Sequence, residues 1–112
     1  MKMILAAAAA VVFMTGAAMA DPIQGNWKTE SGETAAIASC TGGYCITLKS
    51  GKFAGKRIGQ FKADGGAKYS GRITDPADDK TYKGSATVSG RSMKMQGCVM
   101  AVFCKTQTWT KL

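Results

Sequence analysis

Beyond residue 20 the chain alternates apolar and polar positions in short runs. Tyr69, Gly71 and Ile73 alternate with Lys68, Ser70, Arg72 and Thr74. Tyr82, Gly84, Ala86 and Val88 alternate with Thr81, Lys83, Ser85 and Thr87, and Met93 and Met95 flank Lys94. A period of two places one set of side chains on each face of a strand, whereas no window carries a sustained i, i+3, i+4, i+7 helical stripe. The pattern predicts strands near 25–30, 34–40, 44–49, 56–62, 67–74, 80–88, 92–99 and 103–110. Their connections are short and rich in turn residues: Ser31-Gly32-Glu33, Ala63-Asp64-Gly65-Gly66, 75–79 and Ser89-Gly90-Arg91. Consecutive strands joined this tightly pair antiparallel. Closing eight of them on themselves removes both exposed edges and buries one face throughout. The expected fold is therefore all-β, a small eight-stranded antiparallel up-and-down barrel. Gly59, Gly71, Gly84 and Gly97, inside strands, suit the bends of such a barrel.

The first twenty residues follow a different rule. Lys2 gives a positive start, an apolar run extends from Met3 to Met14, and Ala18-Met19-Ala20 has the small-x-small form of a signal-peptidase site. The run is about twelve residues, against roughly 20 for a membrane span. Residues 1–20 are read as a signal peptide cleaved after Ala20, and 21–112 as a single mature domain without a transmembrane segment. The expected location is periplasmic or secreted.

Composition narrows the chemistry. The 112 residues include four cysteines and no histidine, which excludes Ser-His and Cys-His nucleophile pairs and histidine-ligated metals. An even cysteine count in a small exported domain reads as disulfides. Cys40, Cys45, Cys98 and Cys104 allow three connectivities, of which local pairing is favoured. Thr41-Gly42-Gly43-Tyr44 is a ready turn, while residues 99–103 are apolar throughout. A zinc site from the four thiolates is disfavoured because neither pair has the C-x2-C spacing. No cofactor is expected.

Fifteen Lys and Arg against seven Asp and Glu give a net charge of +8. No acidic residue lies between Glu33 and Asp64, yet Lys49, Lys52, Lys56, Arg57 and Lys62 do. Lys68, Arg72, Lys83 and Lys94 extend the basic band along later strands. Such a field attracts anions, so a lipid, glycan or protein of anionic character in the envelope is a candidate partner. Nucleic acid is not expected, since no recognition motif is present. Asp75, Asp78 and Asp79 share one short connection, an ordinary hairpin sequence without EF-hand spacing or the burial that acid–base work needs. The chain is not expected to be an enzyme.

Three segments carry a family resemblance. Asp21-Pro22-Ile23-Gln24-Gly25-Asn26-Trp27 resembles the D-P-I-x-G-x-W opening of the exported bacterial family called domain of unknown function 2147. Gly71-Arg72-Ile73-Thr74-Asp75-Pro76 with Lys80-Thr81-Tyr82 resembles its G-x-I-x-D-P-x-x-G-K-T-Y segment. Gly97-Cys98 and Cys104-Lys105-Thr106-Gln107-Thr108-Trp109-Thr110-Lys111 resemble its G-C…C-R-T-Q-T-W-T-R close. Cys40 and Cys45 fall where many members carry a comparable pair. This chain departs from the pattern in having Asp79 where a glycine is usual, lysines at 105 and 111 for arginines, and a shorter stretch over 49–61. The resemblance implies a lipocalin-like barrel and brings no activity with it.

In lipocalin-like barrels a G-x-W start places the Trp ring beneath a basic side chain from the last strand. Here Gly25 and Trp27 match that start, and Lys105 or Lys111 is the candidate cation. Lys105, Gln107, Trp109 and Lys111 share one face of the last strand. If Trp109 points inward, Gln107 does too, as part of a closure network or as a polar anchor in a cavity, the network being favoured. A barrel of this size can largely fill its interior with its own side chains. Two roles follow. One is binding a small, partly apolar ligand near Trp27, Tyr69, Tyr82 and Trp109; the other is contacting an anionic envelope component, or a hydrolase as its inhibitor, through the basic wall.

Overall fold

The period-two pattern forms the strands it predicts. The computed structural model describes residues 21–99 and 103–112, so the signal-peptide reading of 1–20 lies outside the described residues. Eight strands follow in order: β1 Gly25–Lys28, β2 Thr34–Cys40, β3 Gly43–Leu48, β4 Arg57–Gly65, β5 Lys68–Asp75, β6 Lys80–Ser89, β7 Ser92–Val99 and β8 Phe103–Lys111. Each pairs antiparallel with the next, and β1 pairs with β8, closing the barrel. Closure rests on Trp27 opposite Lys111 and Lys28 opposite Thr110, extended by the Leu112 amide donating to the Asn26 carbonyl at 2.9 Å.

Two strand boundaries differ from the expected ones by more than one residue, each for a local reason. β1 stops at Lys28 rather than residue 30, because Thr29 begins a turn in which its amide donates to the Glu33 carbonyl at 2.8 Å. β4 runs on to Gly65 rather than ending at 62, because a bulge between Ala63 and Gly65 carries the pairing past Asp64. The reversal falls at Gly66 and Ala67, both with positive φ. A bulge accommodates one extra residue without breaking the ladder.

Both disulfides are local. Cys40–Cys45 clips the β2–β3 hairpin, and Cys98–Cys104 joins directly opposed residues of β7 and β8, with Cα atoms 4.0 Å apart.

The inward face forms one core. Trp27, Phe61, Ile23, Ile46 and Met93 are its largest fully buried side chains, each stabilising by about 1.5–3 kcal/mol through burial. Gly71, Gly84 and Gly97 face one another across β5, β6 and β7. A Cβ on Gly84 would lie 2.9 Å from the Phe61 ring. Glycine there lets the sheet bend around that ring.

The hairpin topology gives the barrel two distinct ends. The β2–β3, β4–β5 and β6–β7 turns gather at the end where β1 starts and β8 finishes. The β1–β2, β3–β4 and β5–β6 connections gather at the other.

Candidate functional site

The end holding the chain's start is plugged. Asp21-Pro22-Ile23-Gln24 forms a β-turn, with the Gln24 amide donating to the Asp21 carbonyl at 2.9 Å. Asp at the first and Pro at the second position suit that turn. It swings Ile23 into the barrel, where it is fully buried. The Trp27 indole donates to the Ile23 carbonyl at 2.9 Å, and the Lys111 ammonium lies 5.3 Å from the Trp27 ring centroid. Gly25 has a φ of 132°, which L side chains rarely adopt, and the Lys111 stem passes over it, with Cε 2.9 Å from where a Cβ would stand. Of the two candidate cations, Lys111 therefore takes the position over the tryptophan.

The Asp21 carboxylate ties the plug to the wall. It accepts the Tyr44 hydroxyl at 2.9 Å and the Tyr69 hydroxyl on its other oxygen. The two tyrosine rings meet edge to face, 5.9 Å between centroids. The hydrogen bond to Asp21 raises the Tyr44 pKa above its ordinary value, and burial and the carboxylate's charge push in the same direction. Trp27 and Tyr69 thus belong to the plugged end.

The opposite end is hollow. A cavity of about 390 Å³ is lined by Leu48, Phe53, Ile58, Ile73, Met95 and Trp109 on its apolar side. Tyr82, Lys105 and Gln107 also line it. Among the described residues the interior is therefore filled at the plugged end and open at the other. Gln107 Oε1 accepts the Trp109 indole N–H at 3.0 Å, which leaves the amide NH2 of Gln107 as its unused group. Lys105 and Gln107 are consequently donors toward whatever enters. Of the rim carboxylates, Glu33 accepts the Ser31 hydroxyl at 2.8 Å and Asp75 accepts the Ala77 amide at 3.0 Å.

The seam beside the cavity is incomplete. β1 has four residues and β8 nine, so β1 reaches only Thr110 and Lys111. Glu30 extends the contact by one step, its carboxylate accepting the Thr108 amide at 3.4 Å. Among the described residues no strand pairs with that side of 103–107. Lys105 and Gln107, on this stretch, are exposed.

Residues 47–111, more than half of the chain, match a protein family described as an uncharacterized protein conserved in bacteria, domain of unknown function 2147. The chain belongs to this family. No curated protein and no solved structure matches it. The family match begins within β3 and spans β4 to β8, so it contains the glycine row, the cavity face of the last strand and Lys111. The D-P-I-x-G-x-W opening precedes it.

Within this family member the expected site residues separate into two groups. Tyr82, Lys105, Gln107 and Trp109 come together in the cavity, while Trp27, Tyr69 and Lys111 close the other end. Trp109 and Gln107 do form a hydrogen-bonded pair, but that pair faces the hollow end rather than the closure. Lys49, Lys52, Lys56, Arg57, Lys62, Lys68, Arg72, Lys83 and Lys94 are all exposed. Among the described residues no group of three or more potential metal ligands stands together.

Sequence reasoning passed over Asp21, Phe53 and Ile58. Asp21 entered only as the first residue of the D-P-I-x-G-x-W opening, with no role assigned, although Asp-Pro is itself a turn signal. Phe53 lies in a loop whose path no strand pattern predicts. The bulge between Ile46 and Thr47 shifts the β3–β4 register beside Ile58, whose side chain lines the cavity.

Proposed function

We propose that this protein is a non-enzymatic binding protein, periplasmic or secreted, that takes a small, partly apolar ligand into the hollow end of its barrel. The observation that carries the reading is the cavity itself. Its 390 Å³ falls at the lower end of the range of small-molecule sites, about 300–1,000 Å³. One wall is apolar, and on the other Lys105 and Gln107 offer donors beside the rim carboxylates Glu33 and Asp75, so the matching ligand has an apolar body and a compact polar head that presents an acceptor to Lys105 and Gln107. The hydrogen bonds that tie the plug to the wall support the same reading, because they anchor the cavity walls before a ligand arrives. Two disulfides support a compartment in which thiols are oxidised.

Native mass spectrometry of the protein purified from its own cells, at low and moderate ionic strength, tests this. The expected result is a bound small molecule that survives moderate salt. Protein of apo mass under both conditions, unchanged after incubation with a lipid extract of those cells, contradicts it.

A further inference from the structure

The geometry points to a groove across β4, β5, β6 and β7 that binds an anionic, hydroxyl-rich glycan chain. The groove is about 1170 Å³, and Lys62, Arg72 and Lys83 stand along it on three adjacent strands. Gly71 and Gly84 lie in its floor, where the bend around Phe61 leaves the outer surface concave. Among the described residues no carboxylate lines it.

Two features go beyond a generally basic surface. Arg72 and Lys83 are direct cross-strand partners, an arrangement that like charges disfavour. Gln60 and Cys98 complete that row on either side, so nothing within it neutralises the pair. An anion lying across the row would. The hydrogen-bonding capacity left over is equally specific. The Gln60 amide N–H is taken by the Thr41 carbonyl at 2.9 Å, and that of Gln96 by the Thr106 hydroxyl at 3.4 Å. Each leaves its Oε1 as an acceptor and its second N–H as a donor, and Ser70 and Ser85 stand in the row between Lys62 and Gln96. A ligand matching this lining brings negative charge for the cations and groups that both donate and accept, as hydroxyls do, for the amides and serines. An acidic sugar chain brings both, a concave groove does not fit a flat bilayer, and an acidic peptide lacks the hydroxyls.

The test is calorimetric titration of the mature protein at low salt with hexagalacturonate, a carboxylated oligosaccharide. Maltohexaose, hexaglutamate and phosphatidylglycerol vesicles serve as comparisons. Hexagalacturonate is expected to bind at least about tenfold more tightly than either the neutral sugar or the acidic peptide. The double variant Arg72→Thr/Lys83→Thr is expected to lose about tenfold or more in affinity and to melt no lower than the parent, because the opposed charges are gone. Lys52→Thr/Lys56→Thr removes the same charge outside the groove and is expected to change affinity less than about twofold. Equal binding of hexaglutamate, preferential binding to the vesicles, or equal losses in the two double variants would each overturn the proposal. So would the absence of hexagalacturonate binding by folded parent protein.

Discussion

Lys111 and Trp27 are register partners across the barrel seam, and the lysine ammonium sits 5.3 Å from the centre of the tryptophan ring. The same ammonium donates to the Pro22 carbonyl at 3.2 Å. One side chain from the last strand therefore holds the first strand and the plug that precedes it. A cation over an indole contributes roughly 0.5–2 kcal/mol. Replacing Lys111 by Met, which keeps the apolar stem, is expected to cost about 1 kcal/mol in urea unfolding. Lys111→Arg is expected to retain the stability, since a guanidinium stacks well on an aromatic face.

The Asp21 carboxylate gives the plug a pH dependence. The Tyr44 pKa is raised in the folded protein, chiefly by its hydrogen bond to Asp21, so the folded state favours the neutral phenol. That contribution is fully present below the ordinary tyrosine value near 10 and is lost as pH rises through the higher folded value. Stability measured by urea unfolding is expected to fall more steeply above pH 10 in the parent than in Tyr44→Phe. Replacing Asp21 by Ala strands the buried Tyr69 hydroxyl and frees the half-buried Tyr44 hydroxyl, and is expected to cost about 1–3 kcal/mol at neutral pH.

Asp79 has a φ of 58°, in the left-handed region where glycine carries no penalty. This is the position at which the family resemblance calls for glycine. Asp79→Gly is expected to stabilise by about 0.5 kcal/mol, and Asp79→Val to destabilise by about 1 kcal/mol or more. Ala67, with a φ of 64°, is a less favourable place for the same change, because its methyl packs against the core. Thermal unfolding of the three variants gives the order.

Both disulfides close short loops, and the chain-entropy contribution of each is about 2 kcal/mol. Their surroundings differ. Cys45 is buried, whereas Cys104 is exposed. Cys40→Ala/Cys45→Ala is therefore expected to lose more stability than Cys98→Ala/Cys104→Ala, which denaturant titration of the two double variants measures directly.

Much of the fold was legible because hairpins are local. Strict alternation over 67–74 and 80–88, with turn residues between, specifies both the strands and their antiparallel pairing. The local cysteine pairing was legible for the same reason. Boundaries were legible only where no bulge intervened, and the extension of β4 through Asp64 to Gly65 depends on a bulge that alternation cannot announce. The site was half legible. The period of two puts Lys105, Gln107, Trp109 and Lys111 on one face, but it does not say where along the barrel axis each one sits. That depends on the stagger of β8 against β1, which pair through two residues only. Lys111 consequently meets the plug while Lys105 reaches the cavity. The role of Asp21 was hidden because its partners, Tyr44 and Tyr69, are 23 and 48 residues away.

The sequence contains two tryptophans, one at each end of the barrel. Their indole N–H groups report the two environments separately, Trp27 bound to the Ile23 carbonyl and Trp109 to Gln107. The most direct measurement is a ¹H–¹⁵N correlation spectrum of the mature protein titrated with decanoate, an amphiphile with an apolar body and an anionic head. Saturable shifts of the Trp109 indole and the Gln107 side-chain amide, with the Trp27 indole unmoved, are the predicted result. Shifts confined to surface amides, or equal movement of both indoles, would contradict a ligand site in the hollow end.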